Sequence, residues 1–174
     1  MSTLTLQPTR EDVRIAHLAA FAIMIHIFEA ALPSPFPGVK LGLANVITIA
    51  TLLLFGWKAA AWVSLLRVLV GSLLIGTFLS PTFAMSLAGA ISSVMFLGIC
   101  WKLFEHKLGA VGYSLIAAQA HMMGQFLMAY LVFIPNQGLL KLLPVFMTLA
   151  LVFGLLSGII ANAMVKASQV HAET

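Results

Sequence analysis

Apolar residues in this chain come in long runs that stop at clusters of Pro, Gly and polar residues. Each run is close to the roughly 20 residues that a membrane-crossing helix needs, and the stops follow ordinary helix-breaking chemistry. The pattern predicts six spans. The first runs from about Val13 to Leu32 and ends in Pro33-Ser34-Pro35-Phe36-Pro37-Gly38. The second covers about Val39 to Phe55 and stops at Gly56-Trp57-Lys58. The third covers about Ala59 to Phe78, closed by Ser80-Pro81, and the fourth about Phe83 to Trp101, closed by Lys102 to Lys107. The fifth covers about Val111 to Ile134, closed by Pro135-Asn136-Gln137-Gly138, and the sixth about Leu142 to Val165. Residues 1–12 then form a polar head, 13–165 one six-helix transmembrane domain and 166–174 a polar tail. The first apolar stretch is too long for a signal-peptide core and contains His26 and Glu29, so a cleavable signal is not expected.

Composition supports a membrane-embedded fold. The chain is 61% hydrophobic and 8% charged, whereas a soluble domain carries about 25% charged residues. So few charges cannot dress a water-soluble globule of 174 residues, and a single cysteine, Cys100, excludes a disulfide scaffold. The net charge of +4 comes from basic residues scattered singly, so no nucleic-acid surface is expected. Lys and Arg also orient the bundle. Arg10, Arg14, Lys58, Lys102, Lys107 and Lys166 gather on the side of both termini, against Lys40 and Lys141 on the other. Both termini are therefore expected in the cytoplasm, in a multi-pass protein of the cell's inner (cytoplasmic) membrane. Trp57, Trp101 and Tyr113 fall at the expected inner interface, where amphipathic rings prefer to sit.

Polar residues inside such spans are costly, and a charge at a helix centre costs about 2.5–3.5 kcal/mol even on lenient scales. Arg67 lies well inside the third span. Glu29 and His26 share one face of the first, Asn45 and Thr48 of the second, and His121 and Gln125 of the fifth. Helical rise places Arg67 and His121 at one depth, with Glu29, Asn45 and Gln125 further out. This predicts layered polar residues opening outward, with Glu29, Asn45, Arg67, His121 and Gln125 as the candidate substrate-binding set. Each has a structural alternative. Arg67 can bond broken-helix carbonyls or Glu29, Glu29 can be solvated at the interface, His121 can be satisfied by Gln125, and Asn45 can join helices. Pro33, Pro35, Pro37, Gly38 and Lys40 are expected to form an ordered outer lid, because closely spaced prolines forbid helix and limit loop entropy.

Small residues recur at four-residue spacing in Ala16/Ala20, Gly38/Gly42 and Gly154/Gly158, a spacing that lets helix backbones approach closely. The Ala16/Ala20 face points more than about 90° away from the His26/Glu29 face, which makes it a candidate partner-docking face. Catalytic equipment is missing. The chain has no P-loop, and Asp12 is its one aspartate, so the carboxylate cluster that would hold Mg²⁺ on a diphosphate cannot be assembled. No catalytic residue, metal site or cofactor is expected.

Glu29-x-x-Leu32-Pro33, followed by Pro37-Gly38-Val39-Lys40-Leu41-Gly42-Leu43-Ala44-Asn45, resembles the signature of the Gx transporter family. That family is often labelled heptaprenyl diphosphate synthase component I and is grouped with the S components of energy-coupling factor (ECF) vitamin transporters. The likeness continues through Arg67-Val68-Leu69, Gly71-Ser72-Leu73, Gly76-Thr77-Phe78 and Ser86-Leu87-Ala88-Gly89 to His121-x-x-Gly124-Gln125. It departs at Met122, where the family pattern favours asparagine. The resemblance implies an all-α, six-helix S-component bundle that captures a small molecule from outside. It also implies docking of a coupling protein on Ala16 and Ala20, with ATP spent by separate ATPase subunits. A noncatalytic subunit of heptaprenyl diphosphate or menaquinone side-chain synthesis, and a ligand-free membrane anchor, are the alternatives.

Overall fold

The structure, a computed structural model, describes residues 9–31, 43–104 and 107–170, and every element in them is helical. α1 covers Arg10–Ala31, α2 Leu43–Phe55, α3 Trp57–Ile75, α4 Pro81–Leu103 and α5 Ala110–Met128. A π-helical turn, Ala129–Phe133, prolongs α5, and a short α6 (Gln137–Leu140) precedes α7 (Leu143–Val170). The stretches built on α1, α3, α4, α5 and α7 are each long and apolar enough to cross a bilayer. α2 has 13 residues, about 20 Å at 1.5 Å per residue, against a hydrocarbon core of ~30 Å. Its described part therefore falls short of the sixth full span expected. The expected lid residues Pro33, Pro35, Pro37, Gly38 and Lys40, with Gly42, lie outside the described residues.

Local chemistry sets the boundaries. Thr9 caps α1, its backbone and hydroxyl donating to Asp12 Oδ2 at 2.9 and 2.7 Å while Asp12 N–H returns to Thr9 Oγ1, a reciprocal cap. Gly56 alone separates α2 from α3, at φ 85° and ψ 177°, a region open essentially to glycine. Ser80 caps α4, accepting from Phe83 N–H, and Pro81 takes the first helical turn, where its missing donor costs nothing. The α4 start is thus two residues earlier than Phe83, because the proline opens the helix rather than closing the preceding span. α5 widens into its π turn just before Pro135, Ile134 N–H reaching back to Ala129 O at 2.8 Å.

α2 lies inside the bundle, packed against α1, α3, α5 and α7, and residues 46–52 are buried all round. A helix apolar on every face belongs in such a place. Around it α1 packs on α3, α3 on α4, α4 on α5, and α5 on α7. The outer surface carries large apolar side chains, among them Phe21 and Phe28 of α1, Trp62 of α3, Phe96 of α4 and Leu156 of α7, each at least half exposed. Apolar surface of this extent marks a membrane interface rather than a face in water. The chain is a multi-pass helical membrane protein.

One half of the interior is dry. Where α2 ends and α3 begins, Ile49, Leu52, Ala60, Leu97, Tyr113, Ala117 and their neighbours form the main core, with Trp57 and Trp101 packed against it. Trp57 Nε1–H donates to Val94 O at 2.9 Å, and its indole lies over Gly98, where a Cβ would approach Nε1 to 2.6 Å. Trp101 and Tyr113 pack with ring centroids 5.6 Å apart. The sequence places these rings in an interfacial belt. At this same end of the bundle Tyr113 is fully buried and the two half-buried tryptophans brace the core. Gly154 and Gly158 pack on α5, where a Cβ on Gly158 would come within 2.6 Å of Val111 Cα, and Ser114 Oγ–H donates to Gly154 O at 2.7 Å. Their spacing thus serves the monomer's own α5–α7 seam.

Candidate ligand cavity

The other half of the interior is hollow. A cavity of about 90 Å³ lies among the late turns of α1 and α5, the early turns of α2 and α4, and the mid-portions of α3 and α7. That volume is several times the ~10–15 Å³ that one water requires. All five residues expected to bind substrate line it: Glu29 from α1, Asn45 from α2, Arg67 from α3, and His121 and Gln125 from α5. Four separate helices thus bring their costly polar groups to one place. What the sequence suggests as layers the structure gathers into the walls of a single chamber, at the end of the bundle expected to face outward.

Steric room for these groups comes from two glycines. A Cβ on Gly89 of α4 would lie 2.7 Å from Gln125 Cγ and 2.9 Å from the His121 ring, and one on Gly71 of α3 would lie 2.9 Å from His26 Cδ2. Glycine at each position lets a polar ring fold inward against a neighbouring helix. Gln125 Nε2 stands 3.1 Å from His121 Nε2. The amide donates to the ring in its Nδ1–H tautomer, so the pair is held together one turn apart on α5.

Arg67 is buried to 6% exposure and Glu29 to 8%. Both line the cavity. Among the described residues Arg67 Nε has no hydrogen-bond partner. The remaining wall is largely apolar, with Val68, Ala118, Ala150 and Phe153. Met122 is there too, so the departure from asparagine leaves a thioether on the wall while His121 and Gln125 supply the polar contacts from α5.

His26, Ser86 and Ser157 also line the chamber and were not in the expected set. His26 carried a signal, being three residues before Glu29 on the same helix face. Ser86 carried one in the Ser86-Leu87-Ala88-Gly89 likeness, whereas Ser157 carried none, because serine is common in membrane helices. Thr48 is fully buried on α2 but is not among the cavity's lining residues. A second hollow of about 230 Å³ shares His26, Val68 and Ser86 with the first and extends past Ile75, Thr77 and Thr82, toward the turn between α3 and α4. Ala16 and Ala20 stand on the exposed face of α1, opposite buried His26 and Glu29. Among the described residues no cluster of three or more His, Cys, Asp or Glu has the makings of a metal site.

Residues 18–164 match the family described as heptaprenyl diphosphate synthase component I. The chain belongs to that family. The matched stretch takes in every residue lining the two hollows. No curated protein and no solved structure matches the chain. In this member of the heptaprenyl diphosphate synthase component I family, then, the matched region is a membrane bundle with one packed half and one polar hollow half.

Proposed function

We propose that the protein is the substrate-capture subunit of a membrane transporter, of the S-component kind. It binds a small molecule from the outer side and relies on a coupling protein and ATPase subunits for uptake. The observation that carries this reading is the polar chamber itself. Placing an arginine, a carboxylate, two imidazoles and two amides inside an apolar bundle is expensive, and a structural anchor has no use for them. Both termini face the cytoplasm of the inner membrane in this reading, and the exposed Ala16/Ala20 face of α1 receives the coupling protein.

The family description favours a second reading, a noncatalytic membrane subunit acting with a prenyl diphosphate synthase. In neither reading is the chain itself an enzyme. Asp12, its one aspartate, sits in the first turn of α1, and diphosphate chemistry calls for clustered carboxylates around Mg²⁺.

The test is purification in mild detergent with and without co-expressed ECF coupling and ATPase subunits. A small molecule identified by mass spectrometry is expected to accompany the protein. Ala20→Trp is expected to abolish association with the coupling protein while the small molecule stays bound. Loss of both together, or of neither, overturns the reading. Stable association with a prenyl synthase subunit in place of a coupling protein establishes the second reading.

A further inference from the structure

The second hollow lies where it can serve the first. α3 packs on α1 and on α4, while α1 and α4 do not pack closely on each other. The hollow of about 230 Å³ occupies the cleft this leaves, lined from these three helices and the turn after α3. Its walls form two rungs. Ala30 and His26 on α1, Ser72 and Val68 on α3, and Thr82 and Ser86 on α4 are pairs spaced by one helical turn. Each pair therefore shares a helix face and is separated by about 6 Å along the axis. In each, the member nearer the α3–α4 turn, Ala30, Ser72 or Thr82, lines only this hollow. The inner member, His26, Val68 or Ser86, lines both this hollow and the polar chamber. The two spaces are stacked along the helix axes and share a rung. Burial follows the same order, with Ala30 and Thr82 exposed and His26 and Val68 buried.

We propose that the second hollow is the path by which a small polar solute enters the chamber, and that His26 sets its width. The proposal rests on the capture reading above, in which the chamber fills from this end of the bundle. Of the three side chains in the shared rung, His26 is the largest. Its ring lies against Gly71 of α3, where a Cβ would come within 2.9 Å of Cδ2. Glycine there gives the ring a berth against the α3 backbone, and the rest of the rung is the short side chains of Val68 and Ser86. No Asp, Glu, Lys or Arg stands among the described residues lining the second hollow. Its polar groups, besides the His26 ring, are the hydroxyls of Ser72, Thr77, Thr82 and Ser86, which can accept as well as donate. That of Ser72 donates to Leu69 O at 2.9 Å and keeps its lone pairs for accepting. A polar solute exchanges water for hydroxyl contacts along this path and meets Glu29 and Arg67 only in the chamber.

The experiment follows modification of a cysteine placed in the chamber, Ala118→Cys, by methyl methanethiosulfonate in the detergent-purified protein. Mass spectrometry reads that residue separately from Cys100. Ala118 lines the chamber and not the second hollow. An indole is among the bulkiest side chains. Thr82→Trp, at the exposed mouth, is expected to slow the reaction by about tenfold or more, a barrier raised by ~1.4 kcal/mol. Ala30→Trp, across the same mouth on α1, is the second blocking variant if Thr82→Trp does not fold. Val145→Trp, an equally bulky change at an exposed position on α7 at the same end, is expected to leave the rate within about twofold. His26→Ala is expected to speed the larger benzyl methanethiosulfonate more than the methyl reagent. Ala150→Cys, elsewhere on the chamber wall, replaces Ala118→Cys if that variant does not fold. An unchanged rate in the blocking variant, equal slowing in Val145→Trp, or no gain for the larger reagent in His26→Ala overturns the assignment. A small molecule that still co-purifies then leaves capture standing. No modification of either cysteine, with no molecule co-purifying, overturns both.

Discussion

The two ends of this bundle solve the membrane problem in opposite ways. At the end where α2 passes into α3, helix contacts are backbone-close and the space between them is filled by Leu52, Leu97, Tyr113 and two tryptophans. At the other end the same helices part around a chamber walled by Arg67, Glu29, His121 and Gln125. Lipid tails are as apolar as leucine, so packing rather than hydrophobic transfer must hold membrane helices together. The difference shows where that packing is concentrated. One half supplies the cohesion, and the other spends it on polar groups that the bundle would otherwise exclude.

Matched glycine substitutions test this contrast most sharply. In the packed half, a Cβ on Gly158 meets Val111 Cα at 2.6 Å and Ala110 O at 3.3 Å, atoms of a helix backbone. Gly158→Ala is expected to lower stability by about 3 kcal/mol, at the upper end of overpacking costs, read as a fall in thermal midpoint in mild detergent. Retention of the wild-type midpoint would show that the α5–α7 seam is not what holds this half together.

At Gly89 in the hollow half the obstructing atoms are side chains. A Cβ on Gly89 meets Gln125 Cγ and the His121 ring, which can swing into the chamber. Gly89→Ala is expected to cost about 1 kcal/mol, at the mild end of the same range, while breaking the His121–Gln125 pair and weakening binding of any molecule the protein carries. Paired midpoint and ligand-retention measurements separate the two effects. A stability loss as large as that of Gly158→Ala contradicts the picture of a yielding chamber wall.

The smallest effect belongs to Tyr113→Phe. This hydroxyl is fully buried without a partner among the described residues. Removing a polar atom with no partner leaves nothing newly unsatisfied, so the midpoint is expected to stay within about 0.5 kcal/mol of wild type or to rise. A clear loss of stability would mean that the packed half contains a polar contact after all.

The sequence made the chamber legible because its residues are expensive. Arg67, Glu29, Asn45, His121 and Gln125 stand out in apolar runs, and helical spacing already puts His121 beside Gln125. Ser157 and Phe153 complete the walls but are ordinary residues in a membrane helix, so only their neighbours reveal them. The packing role of the tryptophans and Tyr113 is hidden in the sequence for a related reason. Interfacial belts and tight cores draw on the same amphipathic rings, and the acceptor that settles Trp57, the carbonyl of Val94, is 37 residues away. Five long spans follow directly from run length. The second apolar run is described only from Leu43 onward, and that part, α2, sits inside the bundle.

The joint at Gly56 has a mechanical consequence. One residue links α2 to α3, and the next, Trp57, is pinned by its indole to the backbone of α4. Neither α2 nor α3 has slack at this end. A tilt of α3 about the joint swings Arg67 through an arc, whereas residues next to Trp57 hardly move. Asn45, near the far end of α2, swings on an arm of similar length. The lever therefore moves the chamber walls more than the aromatic brace, so the groups around the hollow can shift while the fulcrum stays packed.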